Sequence, residues 1–498
     1  MSPSRRSSID LRHGYAVGTI TVISFLGYSL LGLVKFYTFR TGVYDLVIFD
    51  QGVRGYANFG PPLSFTKGNW QELGSAFSLL GDHFSPILAL LAPLYWIHDG
   101  PETLIVTQAA LFALAVVPFW TYVRRALGAR AAYSLSIAYA LSWPIAEAMS
   151  FHFHEYAFVP LITAILFERL QAGRRWQVLA AAVALLMVKE DLGVLVTGLG
   201  AGLLFVREWR RVGLVMMIGG TGFLCLTNYV IMPANGGDPN RYWYYSGWGE
   251  NPLEAVTHIV TQPHDIFSVL STPDTKLWTV SLLFTPLLFL PLLSPYVLAP
   301  GALLAERMLA TDPGAAGWWG TGYHYNAAIV MALFCAAVDG TLRLRRAVRG
   351  RRLEKFVPSW TVVAAVTAVG IVPFFAFKNL FIPSWYKTGT RFAAASEAVR
   401  RIPDDVLVEA ANALGPNMSA RAKVVAWAAK TAARPARAPW ILADLKDKQP
   451  HFDSIQDQAA DVERLRRRGY REVFARDGYI VLCDPLSVQP WSQETFAR

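Results

Sequence analysis

The chain has 498 residues, 53% of them hydrophobic and only 16% charged, well below the ~25% charge of soluble domains. Its formal net charge is +10, but most of the excess sits in short loops between apolar runs, which argues against nucleic acid and for a lipid bilayer as partner. Three cysteines supply no disulfide framework: Cys225 and Cys335 lie inside apolar runs, and Cys483 is alone in the tail.

The N-terminal tail, MSPSRRSSIDLRHG, carries Arg5, Arg6 and Arg12 and is expected to stay in the cytoplasm. A first span is predicted at 14–36. It is too long for a signal-peptide core and no small-residue cleavage site follows, so no cleavable signal is expected. A polar and aromatic segment occupies 37–101 and contains a shorter apolar run at 84–97. At ~1.5 Å per residue that run reaches ~21 Å against a ~30 Å hydrocarbon core, which predicts an interfacial or re-entrant helix. Further spans are predicted at 102–123, 131–149, 156–170, 176–189, 191–206, 212–232, 277–292, 294–309, 325–342 and 359–377, giving an all-α polytopic membrane protein of about eleven transmembrane helices.

With these spans the strongly basic loops all face one side. They hold Arg124, Arg125 and Arg130; Arg169, Arg174 and Arg175; Arg207, Arg210 and Arg211; and the run from Arg343 to Lys355. The bias assigns that side to the cytoplasm. The longer segments 37–101, 233–276, 310–324 and everything after 378 fall on the outer face. From 390 to 498 charges return and apolar runs shorten. VLVEAA (406–411) and WILAD (440–444) have the pattern of buried strands, 456–468 that of an amphipathic helix, and Asp477-Gly478 that of a hairpin turn. Two parts are therefore expected: a membrane domain at 1–389 with a long outer first loop, and a small extracytoplasmic α/β domain at 390–498.

Ionisable residues beside spans are costly and point to function. Five clusters lie on the predicted outer face: YDLVIFDQ with Asp45 and Asp50; GDHFSP with Asp82 and His83; FHFHEY with His152, His154 and Glu155; VKEDLG with Lys189, Glu190 and Asp191; and GYHYN with His324 and Tyr325. Asp45 and Asp50 are separated by about 140° on a helix and need not share a face. Each cluster also has a plain reading. Asp82 would serve as N-cap of a helix at 84–97, His152 and His154 as interfacial residues, Lys189–Asp191 as a simple turn, and WYYSGWG at 243–249 as an aromatic belt. Histidine with carboxylate suits zinc or manganese, yet no tight motif such as HExxH occurs, so a divalent metal stays undecided. The absence of GxxxxGK[ST] and of GxGxxG argues against an ATP-driven machine.

YDLVIFDQ, GDHFSPILALLAPLY, the histidine-bearing segment before a span, KEDLG, the later HY entering a span and VLVEAANALGPNMSAR together resemble the bacterial membrane-protein family termed domain of unknown function 2079. The resemblance covers nearly the whole chain and is most specific in its first half. That family is grouped with the GT-C superfamily of integral membrane glycosyltransferases, which take a sugar from a polyprenyl-phosphate carrier at the outer face. The resemblance implies a catalytic carboxylate in the first outer loop, a position that Asp45 matches best and Asp50 second. His83, His152, His154, Glu155, Glu190, Asp191 and Tyr325 would then shape a cleft. Lys189, His324, Arg307 and Arg241 are candidates to stabilise a departing phosphate. No DxD-type acidic pair occurs in the outer loops, so metal use does not carry over. The competing classes are a transporter or lipid flippase, which would need polar residues at mid-bilayer, and a non-enzymatic scaffold. Oligomeric state is not legible.

Overall fold

The computed structural model describes residues 3–70, 73–74, 76–351, 354, 359–428 and 437–486. Lys355, the side chains of Arg5 and Arg6, and the last part of the tail lie outside the described residues. Among the described residues, four helices are long and apolar enough to cross a membrane: Arg12–Tyr37, Pro101–Leu127, Arg207–Ala234 and His324–Ala347. Four more apolar helical stretches are shorter, at Pro86–Tyr95, Arg175–Leu186, Leu192–Leu204 and Trp360–Phe374. The first span continues a single helix, α1 (Pro3–Tyr37).

Several expected spans are broken, and each break has a local cause. The run 131–149 divides into Ala129–Ala140 and Trp143–Phe151, with Pro144 in the first turn of the second piece. The run 277–292 is helical only over Thr275–Phe284. Pro286 and Pro291 then impose short 3-10 turns, and Leu288 and Phe289 adopt left-handed backbone. Irregular backbone is tolerated at membrane depth only where protein covers it, and the covering element is the helix Ala327–Ala347. Residues 327–338 of that helix are all buried, as expected for a helix apolar on every side. At Gly340 a Cβ would stand 2.1 Å from the Leu290 carbonyl oxygen, so glycine is what admits the turn.

The run 84–97 forms a 3-10 segment, Pro86–Leu91, and one helical turn, Ala92–Tyr95, instead of one helix. Leu88, Leu91 and Tyr95 are buried, while Leu90, Trp96 and Ile97 are exposed. It packs on α2 (Leu46–Ala57), and the same loop carries the short α3 (Phe65–Trp70).

The C-terminal region forms a five-stranded sheet in the order β2-β1-β3-β5-β4. The strands are β1 Leu407–Ala410, β2 Lys423–Ala426, β3 Trp440–Asp444, β4 Arg471–Arg476 and β5 Tyr479–Cys483. β1 runs parallel to β2 and β3, and β5 antiparallel to β3 and β4. The central strands β1 and β5 are buried along their length, which is why they read as apolar runs, interrupted in β1 only by Glu409, which pairs with Arg437 at 2.7 Å. Asp477 and Gly478 both have positive φ and close the β4–β5 hairpin. The helix Ile455–Arg467 starts at Ser454, whose hydroxyl accepts the Asp457 N–H. The core of this sheet also contains Val43 and Val47, which belong to the first long loop.

Candidate functional site

The site residues gather at one end of the bundle. Glu155 leads into the helix Phe158–Gln171, Asp191 stands at the start of Leu192–Leu204, and His324 and Tyr325 lead into Ala327–Ala347. The basic residues Arg124, Arg125, Arg169, Arg345 and Arg346 sit in the last turns, at the opposite ends. A close approach of two glycines joins the GDHFSP loop to the later aromatic loop. A Cβ on Gly81 would lie 2.3 Å from the Asn235 oxygen, and one on Gly237 would lie 2.0 Å from the Gly81 oxygen.

Two cavities lie side by side there. The first, of about 280 Å³, is lined by Asp45, Lys67, Asp82, His154 and His324 among others. The second, of about 440 Å³, is lined by Glu190, Asp191, Asn228, Glu306 and Arg307 among others. His83, Lys189, Tyr242, Tyr244 and Tyr325 belong to both walls. The second cavity runs along the helix that spans Arg207–Ala234, only 17% of whose apolar window is buried in the protein. Its wall includes part of a π-helical stretch, Thr227–Ile231, a distortion that is frequent at functional sites.

Most carboxylates of the cluster are partnered. Asp82 pairs with Lys67 at 2.7 Å and accepts the Tyr242 hydroxyl at 2.6 Å. Burial works against its charge, but Lys67 and His83 bring its carboxyl down to about 2. It therefore caps no helix; the N-cap expectation is replaced by an ion pair. Glu190 accepts from His83 Nδ1 at 2.7 Å and from the Phe84 N–H at 2.9 Å. Against burial, His83 holds the Glu190 carboxyl below the usual range, and Glu190 and Asp82 hold the His83 imidazole above its own. Glu155 lies between Lys189 Nζ at 3.3 Å and His154 Nδ1 at 3.1 Å, and burial pushes its carboxyl up to about 7 despite Lys189. Asp191 accepts the Tyr156 hydroxyl.

Asp45 differs from all of these. Its carboxylate makes no hydrogen bond or ion pair with the described residues, although it lines the first cavity. Burial raises it above the ordinary aspartate range, while the charges of Lys67, Lys189 and His83 pull the other way. Its backbone has φ 59 and ψ −64, and the Leu46 N–H donates to the Tyr44 carbonyl at 2.7 Å. This is the γ-turn with positive φ at its centre, a rare and strained geometry that costs about 1–3 kcal/mol. Such strain clusters at functional sites.

Asp50 is placed elsewhere. It is fully buried, chelated by Arg54 at 2.8 and 3.2 Å, and accepts the Tyr95 hydroxyl at 2.9 Å. It lines neither cavity and holds α2 against the Ala92–Tyr95 turn. His152 also lines neither cavity; its Nε2 accepts the Gly42 N–H at 3.3 Å. His154 and His324 stack with ring centroids 3.4 Å apart, and burial together with His324 and Lys189 keeps His154 neutral. Arg307 is buried in the second cavity, donating to the Trp318 and Tyr325 carbonyls and to Asn326. Arg241 lines neither cavity. Lys67, Tyr242 and Glu306 were not expected from the sequence. Lys67 is buried in a loop rich in polar residues, where its hydropathy gives no signal. Among the described residues no three His, Cys, Asp or Glu side chains are grouped to hold a metal ion, and no metal is assigned.

A helical bundle with a chemically rich cleft at one end and a small sheet domain seated over it defines a polytopic membrane protein of GT-C-like fold. Its structure is similar to that of ArnT from Cupriavidus metallidurans bound to undecaprenyl phosphate, at 13% identity, 95% coverage of this chain, 99% of that one and a TM-score of 0.51. The archaeal oligosaccharyltransferase AglB from Archaeoglobus fulgidus, in complex with an inhibitory peptide and a dolichol-phosphate, aligns at 12% identity, 96% and 75% coverage and a TM-score of 0.45. The chain belongs to the family described as predicted membrane protein (DUF2079), whose pattern matches residues 35–481. No curated protein matches it.

Proposed function

We propose that this protein is a glycosyltransferase that moves a sugar from a polyprenyl-phosphate carrier to an acceptor hydroxyl at the outer face of the membrane. The observation that carries the reading is Asp45, a strained carboxylate without a partner among the described residues, facing a cavity whose one other carboxylate, Asp82, is engaged by Lys67 and Tyr242. Asp45 takes the proton of the acceptor hydroxyl. The oxygen attacks the anomeric carbon, the bond from that carbon to the phosphate oxygen breaks, and the lipid phosphate departs with its charge. Lys189 and Arg307, both in the second cavity, stabilise that charge. The lipid-facing helix beside this cavity gives an isoprenoid tail a path to the bilayer. The solved structure of similar fold that carries undecaprenyl phosphate agrees with this class of donor.

The test is mass spectrometry of lipid-linked sugars and envelope glycans in a strain lacking the gene. One polyprenyl-phosphate sugar should accumulate, and the wild-type gene should clear it. Asp45→Asn should express and insert normally but fail to clear it, with a rate loss on the order of 10²–10⁴-fold. Asp50→Asn should retain transfer and lose stability instead, by about 1–3 kcal/mol, because it weakens the buried bonds to Arg54 and Tyr95 while Arg54 keeps Asp99 as a partner. Full clearance by Asp45→Asn would exclude it as the base.

A further inference from the structure

We infer that Asn412, in the C-terminal domain, is a positioning residue that holds Asp45 in its strained turn; this rests on the role proposed for Asp45 above. Asn412 lies just beyond the carboxyl end of β1, and its Oδ1 accepts the Val43 N–H at 2.9 Å. The preceding residue has no side chain to spare: a Cβ on Gly42 would stand 2.9 Å from Asn412 Nδ2. The Gly42 N–H is taken by His152 of the membrane bundle. Two consecutive peptide groups before the γ-turn are thus held from opposite sides, one by each part of the protein.

Asn412 is itself fixed. Its N–H donates to Gln449 Oε1 at 2.7 Å, the Gln449 N–H donates to Gln458 Oε1 at 2.8 Å, and Gln458 Nε2 donates to the Asp444 carbonyl at 2.6 Å. This chain of amides crosses from the end of β3 to the catalytic loop. Val43 is wholly buried in the sheet core, so close that a Cβ on Gly415 would meet it at 2.3 Å. Tyr44 is edge-on to Trp70 and His451, with centroids 4.4 and 5.4 Å away. The Tyr44 carbonyl then accepts the Leu46 N–H that closes the turn. A strained turn persists only where its surroundings over-determine it, and here the C-terminal domain supplies those surroundings. It is part of the site, rather than an appended binding module.

The test reads the position of residue 45 without needing the substrate. The full-length Asp45→Cys protein is reacted with N-ethylmaleimide in membranes, and peptide mass spectrometry locates the label. Cys335, buried in the bundle, reports global opening. Adding Asn412→Leu should accelerate labelling of position 45 roughly threefold to tenfold, the population change that losing one backbone hydrogen bond allows, with Cys335 still protected. Asn412→Asp keeps the acceptor oxygen and should restore the slow rate. Equal rates in all three proteins, or an acceleration shared by Cys335, would overturn the inference. With Asp45 intact, Asn412→Leu should lower kcat by about the same factor with KM for the lipid donor unchanged; a wild-type kcat would also overturn it. The expected labelling pattern in a protein without transfer would count against the glycosyltransferase reading alone.

Discussion

Asp45 and Asp82 lie in the same cavity and titrate in opposite directions, and the sign of each matters for pH dependence. The Asp45 carboxyl is raised above the ordinary ~3.9 by burial, and in the role proposed for it, as a base, it would act only when deprotonated. Transfer should therefore fall as pH drops through that raised value. Asp82 is depressed to about 2 by Lys67 and His83 against burial. Its stabilising effect is present above the unfolded value and is lost only as pH falls through about 2. The acid limb of activity should thus precede any loss of the Lys67–Asp82 pair. Measured together, rate and thermal stability should separate: the rate declines first, while the melting temperature holds. A melting temperature that falls in step with the rate would assign the limb to unfolding.

At the scale of elements, the strands at 407–410 and 440–444, the helix at 455–467 and the Asp477-Gly478 hairpin were legible because each rests on local pattern. β2 was not: Lys423–Ala426 is four residues long and lies in an alanine-rich stretch with no alternation to mark its ends. The broken helices at 129–151 and 275–308 escaped a hydropathy reading for another reason. An apolar run has the same composition whether it is one helix or several turns packed in protein. In the site, the clustered motifs announced themselves, but only the family resemblance, and not the residues around them, sets Asp45 above Asp50. Both are aspartates in one apolar octapeptide, and Asp50 is taken out of play by Arg54, one turn on in the same helix, together with the tertiary partner Tyr95. The shared core sharpens what the tail will do alone. The sequence favours an independently soluble domain at 390–498, yet Val43 and Val47 complete its core and Gln51 and Thr66 bond to the Val424 carbonyl. Residues 390–486 expressed alone should melt well below the same piece joined to 38–70, by circular dichroism; equal melting would mean that the loop adds nothing.

For the whole molecule, the arrangement of charge predicts orientation. Reporter fusions after residues 127, 173, 209 and 350 should read cytoplasmic, and a fusion at 240 external, since the basic helix ends favour the cytoplasm. An external signal at 127 would require residues 84–97 to cross the bilayer fully, which their two short pieces do not support.

The partition between the two cavities has a consequence for reaction order. His83, Lys189, Tyr242, Tyr244 and Tyr325 face both chambers, so under the transfer proposed above donor and acceptor would each have a compartment and meet across a common boundary. Neither has to vacate its place before the other arrives. Initial-rate plots at several fixed acceptor concentrations should therefore intersect, the signature of a ternary complex, whereas parallel lines would mean that one substrate departs as product before the second enters.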